Sequence, residues 1–77
     1  MTSVRVYVNT RGYDVPAGAT AIDAVRIADA AEADAIDAGT RLITDSRGIA
    51  VSAATPVYGG VIYRVVANRV RDGEASS

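Results

Sequence analysis

The chain contains no cysteine, histidine, lysine, tryptophan or phenylalanine. Without cysteine it forms no disulfide, and without cysteine or histidine a zinc site lacks its two preferred ligands. The missing lysine removes Schiff-base chemistry and any isopeptide acceptor, leaving eight arginines as the whole basic complement. Acid–base work at neutral pH then falls to carboxylates or tyrosines with strongly shifted pKa values. A serine or threonine nucleophile lacks its usual base. A chain of 77 residues is also poor at enclosing the dry pocket such shifts require. The expectation is a protein that is not an enzyme and uses no cofactor and no metal.

Long apolar runs are missing as well. The longest charge-free stretch, between Arg47 and Arg64, is interrupted by Pro56 and Gly59-Gly60, so nothing in the sequence spans a bilayer. Met1-Thr2-Ser3 runs straight into a strand pattern and leaves no room for a signal peptide, which makes a cytoplasmic setting the expectation. A net charge of −1 disfavours bulk nucleic-acid binding.

What is present is enough for one small domain. Hydrophobic residues make up 49% of the chain, too many for a disordered one. Much of that is alanine, so Val, Ile, Tyr and the single Leu42 must build the core. A chain of this size buries only ~60% of its unfolded surface and is marginal in stability.

Val4-Arg5-Val6-Tyr7-Val8-Asn9 alternates strictly, which predicts a strand with Val4, Val6 and Val8 inward and Arg5, Tyr7 and Asn9 outward. Asn9-Thr10-Arg11-Gly12 reads as a turn in which Gly12 supplies positive φ, and Tyr13-Asp14-Val15 returns antiparallel until Pro16 ends the strand. Thr20 with Asp23 forms a capping box that opens a helix whose inward stripe is Ile22, Val25 and Ala28, with Ile27 at its margin. Arg26 stands three residues from Asp23 and from Asp29, an ordinary surface pairing. Glu32, Asp34 and Asp37 would crowd the negative end of one long helix with no basic residue to offset them. A break near Ala31 is therefore expected, then a short turn over Ala33–Ala38 capped by Gly39. A second hairpin, Leu42–Val51, turns at Asp45-Ser46-Arg47-Gly48. Thr55-Pro56 begins an irregular segment, and Val61–Val66 is apolar enough for a central strand. From Arg69 to Ser77 the chain is polar, which predicts a β-sheet domain over residues 1–68 and a flexible tail over 69–77.

Strand–strand–helix–strand–strand–strand is the element order of the β-grasp, or ubiquitin-like, architecture. The fold expected is α+β: a mixed sheet of four to five strands packed on one helix. Its core would hold Val4, Val6, Val8, Val15, Ile22, Val25, Leu42, Val51 and Val65. With the first and last strands adjacent, Arg5, Tyr7, Ile62 and Arg64, joined by Val66, share the outward sheet face. Aromatic, aliphatic and arginine residues together are typical of protein interfaces, although a half-apolar sheet face is also common without one. The acidic group Asp29, Glu32, Asp34 and Asp37 has neither the loop spacing nor the glycine of an EF-hand and reads as a solvated face. Gly59-Gly60 lacks the surroundings of a phosphate loop and reads as a turn.

Three segments carry a family resemblance: Val4–Asn9, Val15-Pro16-Ala17-Gly18-Ala19-Thr20, and Thr55-Pro56-Val57-Tyr58-Gly59-Gly60-Val61. On these the chain resembles the small ubiquitin-like sulfur carriers of thiamine and molybdopterin biosynthesis, over about residues 3–67. The second segment is equally similar to the small β-grasp domain preceding threonyl-tRNA synthetases and stringent-response enzymes. Sulfur carriers end in Gly-Gly, whose carboxylate is adenylated and converted to a thiocarboxylate. This chain ends Gly73-Glu74-Ala75-Ser76-Ser77, and Gly59-Gly60 is internal. Two readings stay open. One is a non-catalytic module, a monomer or weak dimer, that binds a protein partner through the sheet face. The other is a carrier or modifier activated by trimming after Gly73, which leaves Asp72-Gly73 in place of a diglycine.

Overall fold

A computed structural model describes residues 2–68; the expected tail over 69–77 and the Gly73 trimming position lie outside the described residues. Five strands and two helices follow one another as β1 (Ser3–Val8), β2 (Arg11–Pro16), α1 (Ala21–Ala28), α2 (Ala30–Asp37), β3 (Arg41–Thr44), β4 (Ala50–Val51) and β5 (Ile62–Ala67). The sheet order is β2-β1-β5-β3-β4. β1 and β5 run parallel at its centre, and the other neighbours are antiparallel. The architecture is α+β with a mixed sheet, as the sequence predicts. It carries two helices where one was expected.

Alternation builds the centre. Val6, Val8 and Val15 are buried against Ala21, Ala24 and Val25 of α1, and Ala33 of α2 with Ile43, Val61, Tyr63 and Val65 completes the core. Each buried valine contributes roughly 1.5–3 kcal/mol relative to exposure. Val4, Ile22 and Val51 are only half-buried and pack on the core's margin. Leu42 is misplaced in the sequence reading. In β3 it is Ile43, paired with Val65, that enters the core, while Leu42 pairs with Val66 on the opposite face. A four-residue strand with adjacent Leu and Ile offers no period to choose between them.

Two turns also differ from expectation. The first hairpin has a two-residue loop, Asn9-Thr10, with φ of 51° and 74°, and Gly12 lies inside β2 opposite Tyr7. Positive φ at both loop positions is the twist-matched geometry of tight hairpins, here without glycine. Asn9 is well suited to it, since its Oδ1 accepts from the Val65 amide at 3.0 Å and extends the β1–β5 pairing past the end of β1. The helical segment breaks at Asp29 rather than near Ala31. Asp29 is extended and its carboxylate accepts from the Ala31 and Glu32 amides at 3.0 and 3.4 Å, which caps α2. α2 then runs over the acidic residues with Arg26 reaching across from α1 to Asp37 (2.9 Å) and Asp34 (3.4 Å). A basic residue does offset them, from the other helix, and it pairs with neither Asp23 nor Asp29. Gly39, at φ 87°, ends α2: its amide bonds Ile36 O while the Thr40 amide bonds Ala35 O.

At the start of α1, Asp23 accepts from both the amide and the hydroxyl of Thr20 at 3.1 Å. The irregular segment before β5 supplies further acceptors, with the Ala21 and Ile22 amides donating to Thr55 O and Ala53 O. Those bonds satisfy helix-start donors that α1 itself leaves open. No helix of the described residues is long and apolar enough to cross a membrane.

Candidate protein-binding face

The core takes one face of the sheet, and the other carries the predicted residues. Arg5 and Tyr7 project from β1, and Ile62, Arg64 and Val66 from β5, all exposed. Tyr7 and Ile62 are register partners, so an aromatic and a branched aliphatic side chain lie side by side at the sheet centre. They are 37% and 42% exposed, and Val66 is 37% exposed. Half-exposed apolar side chains in the middle of a sheet indicate that none of the described residues forms a layer over this face. Leu42, beside Val66, extends the apolar strip toward β3.

Gly12 shapes this face. A Cβ there would come within 3.0 Å of Arg5 Nη1 and 3.1 Å of Tyr7 Cε2. Without it, both side chains lie across β2. The Arg5 Nε–H donates to Asp14 Oδ1 at 2.8 Å, with both side chains more than half exposed, so the pair orients Arg5 and adds little stability. Arg64 forms no ion pair among the described residues, and its backbone carbonyl accepts from the Thr44 hydroxyl at 3.4 Å. A hollow of about 250 Å³ lies against Arg64 and Val66 beside the Asn9-Thr10 loop. Another of about 240 Å³ meets Ile62 beside Arg47 and Tyr58.

The remaining polar groups are held apart. Asp29 caps α2, Asp34 and Asp37 bind Arg26, and Glu32 binds Arg41 at 3.2 Å. Among the described residues no three carboxylates converge on a metal position. The Tyr63 hydroxyl is buried in the core without a hydrogen-bond partner there. Burial pushes its pKa up, with Tyr58 adding to the shift, so the phenol stays protonated. Gly59-Gly60 is a turn: Gly60, at φ 88°, donates its amide to Arg5 O at 2.8 Å and delivers the chain into β5.

The sequence reading places Arg5, Tyr7, Ile62 and Arg64 on one surface, and the structure brings them together there. It missed Gly12, Asp14 and Leu42. That Gly12 stands opposite Tyr7 and Asp14 opposite Arg5 is set by the hairpin register, which follows from a two-residue loop and not from a four-residue one. No protein-family model, curated protein or solved structure matches this chain.

Proposed function

We propose that this is a β-grasp domain that works as a non-catalytic protein-binding module through the face of Arg5, Tyr7, Ile62 and Arg64. The observation that carries it is the Tyr7–Ile62 pair, half-exposed at the sheet centre and flanked by two arginines. Large apolar side chains at the middle of a patch with arginine beside them are the usual energetic centre of an interface. The strand order, with β1 and β5 parallel and adjacent, supports the β-grasp reading, as does the segment pattern that resembles the ubiquitin-like carriers.

Partners captured by the wild-type chain from its native lysate should be lost with Tyr7→Ala and with Arg64→Glu, both still folded by circular dichroism. Charge reversal at Arg64 also slows association with an acidic partner surface. Identical partners on all three baits make the patch an ordinary sheet surface.

A further inference from the structure

We infer that β2 is a self-pairing edge, and that the chain forms a weak two-fold dimer by antiparallel β2–β2 addition. This goes beyond the binding face and does not depend on it.

The backbone bonding fixes which groups are free. Tyr7 N donates to Val61 O at the entry to β5, Asn9 N donates to Tyr63 O, and Arg5 O accepts from Gly60, so the odd-numbered residues of this strand bond toward β5. Even-numbered residues, Val4, Val6 and Val8, therefore bond toward β2, where their partners are Val15, Tyr13 and Arg11. That leaves the amide and carbonyl of Gly12 and of Asp14 directed away from the sheet, both residues exposed and neither backbone bonded elsewhere among the described residues. β2 is six residues long, regular in register and without a bulge, whereas the opposite edge, β4, has two residues. An edge of that kind is a template for another strand unless something blocks it.

What selects a second copy is the charge pattern. A two-fold axis beside Tyr13 sets Gly12 opposite Asp14 of the second copy, and each pair exchanges both backbone bonds. The Arg5 guanidinium already lies over Gly12, with Nη1 3.0 Å from where a Cβ would be, while its Nε holds Asp14 of its own chain. Pairing brings the second copy's Asp14 carboxylate beside that Nη1, and the two-fold repeats the contact. Each Arg5 then bridges two Asp14 side chains. Ile27, half exposed on the flank of α1 that shares a groove with Pro16, adds apolar surface at the same edge, on the core side of the sheet.

Sedimentation equilibrium of the full chain tests this. The wild type should pass from monomer to dimer between micromolar and millimolar concentration, and Asp14→Arg should weaken dimerisation by at least about tenfold. The exchange Arg5→Asp with Asp14→Arg should restore it, because the cross-chain pairs re-form with reversed sign. Amide hydrogen exchange gives a readout independent of any variant. Protection at Gly12 and Asp14 should rise with concentration while Tyr13 and Val15, bonded to β1, stay unchanged. A wild type that is monomeric at millimolar concentration overturns the proposal. So does a dimer indifferent to Asp14→Arg, a folded double variant that stays monomeric, or concentration-independent exchange at Gly12 and Asp14.

Discussion

The two hairpins of this domain are held together by opposite means. In β1–β2, two six-residue strands place Val6, Val8 and Val15 in the core, but the loop puts Asn9 and Thr10 at positive φ, Thr10 being β-branched. In β3–β4, the return strand has only two residues, while the turn is chemically well matched. Asp45 Oδ1 accepts from the Arg47 and Ile49 amides at 2.8 and 3.0 Å, and Gly48 takes φ 84°. Buried side chains impose the first register in spite of its loop, and loop chemistry forms the second in spite of its short strand.

The strongest way to break the first hairpin is therefore through its core. Val6 is fully buried and paired with Tyr13, so Val6→Ala should cost roughly 1–3 kcal/mol in urea unfolding. Val51→Ala, at the half-buried end of the second hairpin, should cost less. Equal losses would mean the second hairpin also depends on its buried side chains.

Exchanging loop chemistry sharpens the contrast. Thr10→Gly removes a β-branched residue from φ 74° and should stabilise the domain by about 1 kcal/mol. Gly48→Ala should destabilise it by about 1–2 kcal/mol, and for backbone reasons alone, because no atom lies within 4 Å of the added Cβ. Thermal melts of the two variants should move in opposite directions. A drop in melting temperature for Thr10→Gly would show that its hydroxyl or methyl does something the loop needs.

These same forces decide what could be read from sequence. The valines of β1 alternate with outward residues over the whole strand, so Arg5 and Tyr7 were legible. Val61–Val66 is instead a near-continuous apolar run, and Ile62 and Arg64 face outward only on the premise that Val61, Tyr63 and Val65 face the helix, which they do. Asp45 and Gly48 stand where a turn wants them, and that turn was legible too. The Asn9-Thr10 loop was not, because turn preferences assign positive φ to glycine and Gly12 was nearby. Nor was α2 fully legible. Asp29 and Glu32, three apart, carry the start signal of a second helix, but the charge argument against a long helix drew the break two residues too late. The acids of α2 are offset by Arg26 of the neighbouring helix, which a count of basic residues within one helix does not include. Leu42 and Ile43 needed the pairing with β5 before their faces could be told apart.

The smallest effect expected is a dependence of the second hairpin on acid. The Ile49 amide, ahead of the Arg47 amide and guanidinium, holds the Asp45 carboxyl below its ordinary value of 3.8. A group whose pKa is depressed on folding contributes stability that is present above its unfolded value and lost as pH falls through the folded one. As pH falls below the ordinary carboxylate value and on through the lowered one, the wild type should therefore lose its advantage over Asp45→Asn, whose amide oxygen still accepts but carries no charge. Amide exchange locates the loss: protection at Ile49 and Val51 should fall with the titration, while Val6 and Tyr13 in the first hairpin should not respond to it. β4 is the element to watch, since two residues and one half-buried valine give it little besides this turn. If the wild type and Asp45→Asn lose protection in parallel across that range, the carboxylate is not what holds the turn, and the short strand must owe its place to Val51 after all.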